Sequence, residues 1–168
     1  MPTCMITDLN TIAGLAIANE TANNHFKAIL LAMDSDAVDA TVVALQAAIT
    51  PQIDCTQCGN CCRSLMINVE KTDAERLAQH LQLSTQQVYE RYIETSSQGS
   101  LAVMNTIPCH FLCDNKCTVY EARPAECREF PGLEAPDFTK RLFATFMHYG
   151  RCPIIFNVIE GLKSAVLK

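Results

Sequence analysis

Ten of the 168 residues are cysteine, and their spacing is the part of the sequence that could do chemistry. The densest stretch is Cys55-Thr56-Gln57-Cys58-Gly59-Asn60-Cys61-Cys62. Two residues between sulfurs let a tight turn aim both at one ion, and Gly59-Asn60 supplies the backbone freedom such a turn needs. Five more follow, at Cys109, Cys113, Cys117, Cys127 and Cys152. Nine thiolates exceed the four that one tetrahedral ion uses, so the arrangement points to more than one metal atom. Adjacent Cys61 and Cys62 diverge on a regular backbone, which predicts that they serve different metals or different faces of a polynuclear cluster.

Composition narrows the setting. Hydrophobic residues make up 49% and charged residues 18%, which excludes a disordered charged chain. The net charge is −5 and no Lys/Arg run occurs, so the basic face of a nucleic-acid binder is missing. No apolar stretch approaches the roughly 20 residues that span a bilayer, so no membrane partner is expected. The N-terminal stretch has no basic region ahead of an apolar core, which predicts a cytoplasmic protein. In a reducing cytosol clustered thiols hold metal or do redox chemistry rather than form disulfides.

The elements that must position these thiols are mainly helical. Residues 11–49 carry Ile12, Leu15, Phe26, Ile29, Leu30 and Met33 and then Val38, Val42, Leu45 and Ile49 at helical spacing. Asp34-Ser35-Asp36 supplies cap chemistry between two helices and Pro51 stops the second, giving a helical hairpin. Thr72 with Glu75 and Ser84 with Gln87 fit capping boxes for helices over 73–81 and 85–93. Leu101–Ile107 reads as a short strand, and Asp114-Asn115 as a turn bringing Cys109 and Cys117 together. Asp137 is expected to cap a helix carrying Phe138, Leu142, Phe146 and Tyr149, closed by Gly150. Pro153 opens a last helix with Ile155, Val158, Ile159, Leu162 and Val166 on one face. The expected architecture is mainly α: short helices flanking irregular cysteine-rich loops, with room for one small β-hairpin. An N-terminal helical hairpin over 1–54 would pack on the core of a cysteine-cluster domain over 55–168, the whole forming a single unit.

The cysteine pattern resembles the cysteine-cluster family described as zinc- or iron-chelating. The resemblance rests on C-x2-C-x2-C-C at Cys55–Cys62, on Cys109-His110-Phe111-Leu112, on the run Cys117-Thr118-Val119-Tyr120-Glu121-Ala122-Arg123-Pro124-Ala125-Glu126-Cys127-Arg128-Glu129-Phe130-Pro131, and on Cys152-Pro153. It covers about residues 55–153 and leaves out the first 50. His110 stands where the family often has Pro, and Cys113 is an extra thiol. By this resemblance the metal ligands would be Cys55, Cys58, Cys61, Cys62, Cys109, Cys117, Cys127 and Cys152, with Cys4 and Cys113 peripheral. A related cysteine-cluster protein, the flagellin lysine methylase, is an enzyme, so methyl transfer is a further alternative. The chain has no G-x-G-x-x-G loop for a methyl donor.

All-thiolate ligation suits an iron–sulfur cluster, and C-x2-C-x2-C also opens bacterial ferredoxin runs. Zinc accepts the same thiolates, and eight would divide into two tetrahedral sets. Eight thiolates carry more negative charge than two zinc ions or one cluster neutralise. Random placement would put about one Lys or Arg beside these cysteines, yet Arg63, Lys116, Arg128 and Arg151 all stand there. Arg123 lies one helical turn before Cys127, so Arg63, Arg123 and Arg128 are expected to compensate charge around the metal. His110 and His148 could replace a thiolate but are more often half-buried structural histidines. Cys127 beside Arg128 could be an activated nucleophile, although its neighbouring cysteines would compete for that role. The leading functional expectation is an iron–sulfur cluster serving electron transfer or metal-dependent chemistry with a redox partner. The alternative is a non-catalytic zinc module whose helices bind a partner protein.

Overall fold

The computed structural model describes residues 5–99 and 101–167, and Cys4 lies outside them. The fold is mainly helical with two small antiparallel hairpins. The chain divides into two units, one formed by residues 1–54 with 131–168 and the other by residues 55–130.

The first unit holds α1 (Leu9–Ala18), α2 (Glu20–Leu31) and α3 (Ser35–Ile49) from the first segment. From residue 131 onward it is closed by two further helices. Asp34 caps α3 by accepting from the Ala37 amide at 2.9 Å, and Pro51 lies in a 3-10 turn that ends it, as the sequence predicts. The first arm of the expected hairpin is two helices rather than one, broken at Asn19. Asn19 leaves helical geometry and turns its amide to the Tyr149 hydroxyl at 3.4 Å. A polar side chain with a tertiary partner thus overrides local periodicity. Ile12, Phe26, Leu30, Val38, Val42 and Ile49 are buried, while Met33 is exposed.

The second unit carries α4 (Cys55–Cys58), α5 (Asn60–Ser64), α6 (Lys71–Leu81) and α7 (Thr85–Tyr92). Strands β1 (Ile93–Thr95) and β2 (Ala102–Met104) pair antiparallel, and residues 67–69 flank β2 through Val69 N–H to Ala102 O and Met104 N–H to Ile67 O, both 2.9 Å. Next come β3 (Leu112–Cys113), β4 (Lys116–Cys117) and α8 (Ala125–Glu129). Ser84 and Gln87 form the expected capping box on α7. On α6 the box is Glu70 with Asp73 rather than Thr72 with Glu75, and the helix starts two residues earlier than expected. Asp73 is only 2% exposed because its carboxylate also serves residues far along the chain, a demand that local spacing does not reveal.

Two further helices complete the first unit, α9 (Leu142–Met147) and α10 (Pro153–Val166). The expected helix from Asp137 to Gly150 is replaced by a 3-10 turn over Phe138–Arg141 running into α9, which ends before Gly150. Asp137 has a left-handed backbone (φ 60°) and makes no side-chain cap. Asp39 of α3 caps in its place, accepting from the Asp137 and Phe138 amides at 2.7 and 2.8 Å. Pro153 begins α10, whose residues Pro153 to Ile159 are all buried. At Gly161 a Cβ would come within 2.8 Å of Leu45, so glycine lets α10 approach α3 closely. Tyr149, 1% exposed, donates to Glu160 at 2.6 Å, and Lys163 holds that carboxylate at 2.7 Å. No helix among the described residues is long and apolar enough to cross a membrane.

Candidate metal centre

Three cysteines of the second unit lie along the border of its apolar cluster. Ile67, Val69, Ala74, Leu77, Val88, Met104, Phe111 and Val119 belong to that cluster, and Cys109, Cys117 and Cys127 pack partly buried against it. Three chain segments deliver the sulfurs. The first is the α4–α5 stretch, where Gly59 (φ 58°) reverses the chain between Cys58 and Cys61. The second runs from Cys109 through the β3–β4 hairpin, whose turn Asp114-Asn115 has φ of 46° and 67°, the pair of left-handed residues a two-residue hairpin requires. Its register sets Cys117 opposite Leu112 and leaves Cys113 opposite Lys116. The third is α8, in which Cys127 N–H bonds to Pro124 O at 3.1 Å.

These segments are tied together by backbone as well as side chains. Cys109 N–H donates to Cys62 O at 2.8 Å, and α4 packs on β4. Glu126 accepts from Asn68 N–H at 2.5 Å and from its amide at 3.1 Å, so this carboxylate is engaged rather than simply solvated. Asp73 accepts from Ala125 N–H at 3.0 Å and from Glu70 N–H at 3.1 Å. It also pairs with Arg76, which donates to Arg123 O at 3.2 Å. One buried carboxylate therefore fixes the start of both α6 and the helix that carries Cys127.

The sulfurs feel one another. Cys61 and Cys62 have their sulfurs 4.0 Å apart. A tetrahedral site with bonds of 2.3 Å has an edge of about 3.8 Å, so the pair does not diverge as its adjacency predicts and could face one ion. The Cys61 thiol is brought down to about 6 by its bond with Cys62. Cys62 is pushed far up by that same bond, by burial and by the charges of Cys61, Cys109 and Cys117. Burial raises Cys109, with Cys117 and Cys61 adding to it. Cys127 is pushed up to about 12 by burial and then by Cys109, Cys61 and Cys117. These thiols are a donor set whose softness fits zinc or iron. Among the described residues, no group of three or more Cys, His, Asp or Glu side chains is placed so that it could hold a metal ion as it stands.

The remaining expected ligands fall as follows. Cys58 is half-buried and Cys55 exposed on α4. Cys152 is buried in the first unit at the start of α10, its N–H on His148 O at 2.9 Å. Cys113 is exposed. None of the described cysteines is in a disulfide. His110 bonds to Asn105 at 2.7 Å and meets the Tyr92 ring edge-on at 5.2 Å. The guanidinium of Arg123 lies 3.6 Å from the centre of the Tyr120 ring, and Arg128 follows Cys127 on α8. Arg63 donates to Cys58 O and to Asn115. Sequence reasoning missed Asp73 and Asn115 as organisers; the Asp-Asn turn signal marked the second without showing what its amide holds.

An all-cysteine donor cluster on a small helical scaffold defines a thiolate metal-binding class. Residues 54–146 match the CxxCxxCC family, described as a putative zinc- or iron-chelating domain, and the chain belongs to that family. The match ends before Cys152. No curated protein and no solved structure matches the chain.

Proposed function

We propose that the Cys55–Phe130 unit holds metal through Cys61, Cys62, Cys109, Cys117 and Cys127, joined by Cys55 and Cys58 of the same loop, and that the metal is an iron–sulfur cluster used in electron transfer or metal-dependent chemistry. The observation that carries this reading is that separate segments bring half-buried cysteines together: the sulfurs of Cys61 and Cys62 lie 4.0 Å apart, Cys109 N–H bonds to Cys62 O, and Cys109, Cys117 and Cys127 pack against one apolar cluster. Like charges confined this way oppose their own ionisation, and a cation is the partner that relieves them. The seven sulfurs of the unit that lie in the motif exceed the needs of one tetrahedral ion, which supports a polynuclear centre. When bound, such a cluster supplies one-electron chemistry; the chain's part is to hold the thiolates, bury them against Phe111 and Val119, and limit water.

A second reading is favoured by the apolar floor itself. Because Cys109, Cys117 and Cys127 border the unit's hydrophobic cluster, two zinc ions there would act as part of the core, in a module that binds a partner protein. Anaerobic purification followed by iron, zinc and acid-labile sulfide analysis separates the two. Brown protein with sulfide-to-iron absorption that bleaches on reduction is the expected result. Colourless protein with stoichiometric zinc from iron-replete cells would replace the first reading with the second.

A further inference from the structure

Arg63 stands beside the cysteine motif, where its charge invites an electrostatic role, but its bonds are to neutral groups. Nη1 donates to the Cys58 carbonyl at 3.0 Å and Nη2 to the side-chain oxygen of Asn115. Asn115 in turn donates from Nδ2 to the Gln57 carbonyl at 3.1 Å. Two carbonyls of the α4 turn are thereby held by a guanidinium and by an amide, and these two side chains are bonded to each other. Gly59 closes the figure: a Cβ there would lie 3.0 Å from both Cα and O of Asn115 and 3.3 Å from Arg63 Nη1. The left-handed backbone of Asn115 (φ 67°) is what places its amide between the hairpin and the α4 turn.

We infer that Arg63, Asn115 and Gly59 form a clasp that locks the Cys55–Cys62 loop to the β3–β4 turn and so sets how tightly the thiolates retain metal. Arg63 and Asn115 are positioning residues that act through the carbonyls of Gln57 and Cys58. A lysine at 63 keeps the charge but has no fork to reach two acceptors at once. A glycine at 115 keeps the left-handed turn but has no amide. The inference rests on the metal-binding reading above, since a clasp that positions ligands needs a site to position them for.

The test uses the full chain loaded with zinc alone, following transfer of zinc to an excess of chromophoric chelator. Arg63→Lys, Arg63→Gln and Asn115→Gly are each expected to release zinc about tenfold faster or more, the scale at which residues supporting metal ligands act. The Arg63→Lys/Asn115→Gly double variant should release no faster than either single, because both remove one shared device. Amide hydrogen exchange on the zinc-loaded proteins should rise at Gly59–Arg63 in each variant. A wild-type rate in Arg63→Lys together with fast release in Arg63→Gln would make the role one of charge and overturn the clasp. Multiplicative rates in the double variant would overturn it too. Wild-type protein that takes up neither zinc nor iron would instead strike down the thiolate site itself, an outcome distinct from a clasp that fails while wild type binds.

Discussion

The two units reach stability by different routes. Of the largest fully buried side chains, Phe26, Phe138, Tyr149, Phe156, Ile12, Leu30, Leu133, Ile154, Ile155, Ile159 and Leu162 belong to the first unit, and Leu77 alone to the second. The first is built on long helices whose apolar faces meet, with α10 lying along α3. The second has short helices and two-residue strands, and cysteines take positions along its core where leucines would serve a larger domain. A unit with so small an apolar core is near the size at which metals commonly supplement burial. The contrast teaches that the thiols are structural material as well as chemistry.

The largest expected effect follows directly. Stripping metal from the whole protein should abolish amide protection across α6, α7 and the hairpins while α3 and α10 stay protected, since metal ligation in small thiolate domains is worth on the order of 10 kcal/mol. Hydrogen exchange read by mass spectrometry checks this, and unchanged protection in the Cys55–Phe130 unit would break the comparison. The reverse lesion is Phe156→Ala, which should cost about 3 to 5 kcal/mol in the first unit without lowering metal content. Smaller again is Asp73→Ala, expected to cost about 2 kcal/mol and to loosen the start of α8, because it strands Arg76 and the Ala125 amide. Denaturant unfolding with metal analysis distinguishes these two from each other.

The smallest effect sharpens the comparison at the surface of the first unit. Asp8 caps α1 by accepting from Thr11 N–H at 2.7 Å and from the Thr11 hydroxyl at 2.6 Å, bonds that hold its carboxyl below the ordinary 3.8. A depressed carboxylate stabilises the fold above its unfolded pKa and loses that contribution as pH falls through its folded value. Asp8→Ala should therefore lower Tm at neutral pH, and the difference from wild type should close as the solution is acidified below the folded value. A gap that is constant with pH would remove Asp8 as a cap.

Much of this was legible in the residues. Asp34, Ser84 with Gln87, Pro51 and Pro153 mark helix ends by local chemistry, and the structure keeps each of them. Asp114-Asn115 marks the turn because few residues accept two left-handed positions in succession. What was not legible depends on partners distant in sequence. Thr72 offers a cap as good locally as Glu70, and it is the burial of Asp73 under Ala125 that decides between them. Asn19 breaks its helix for Tyr149, and Asp39 caps a turn almost a hundred residues away. In the candidate site the motif marked the loop at Cys55–Cys62, whereas the side-chain bonds that join it to the hairpin had no signature of their own.

The central claim, that thiols of the second unit converge on metal, is tested most directly by two cysteines four residues apart on the same hairpin. Cys117 packs partly buried against the apolar cluster, and Cys113 is exposed across from Lys116. Metal per chain, measured on Cys117→Ser and Cys113→Ser prepared side by side with wild type, should fall sharply in the first and match wild type in the second. Full metal retention in Cys117→Ser would contradict convergence on a common centre.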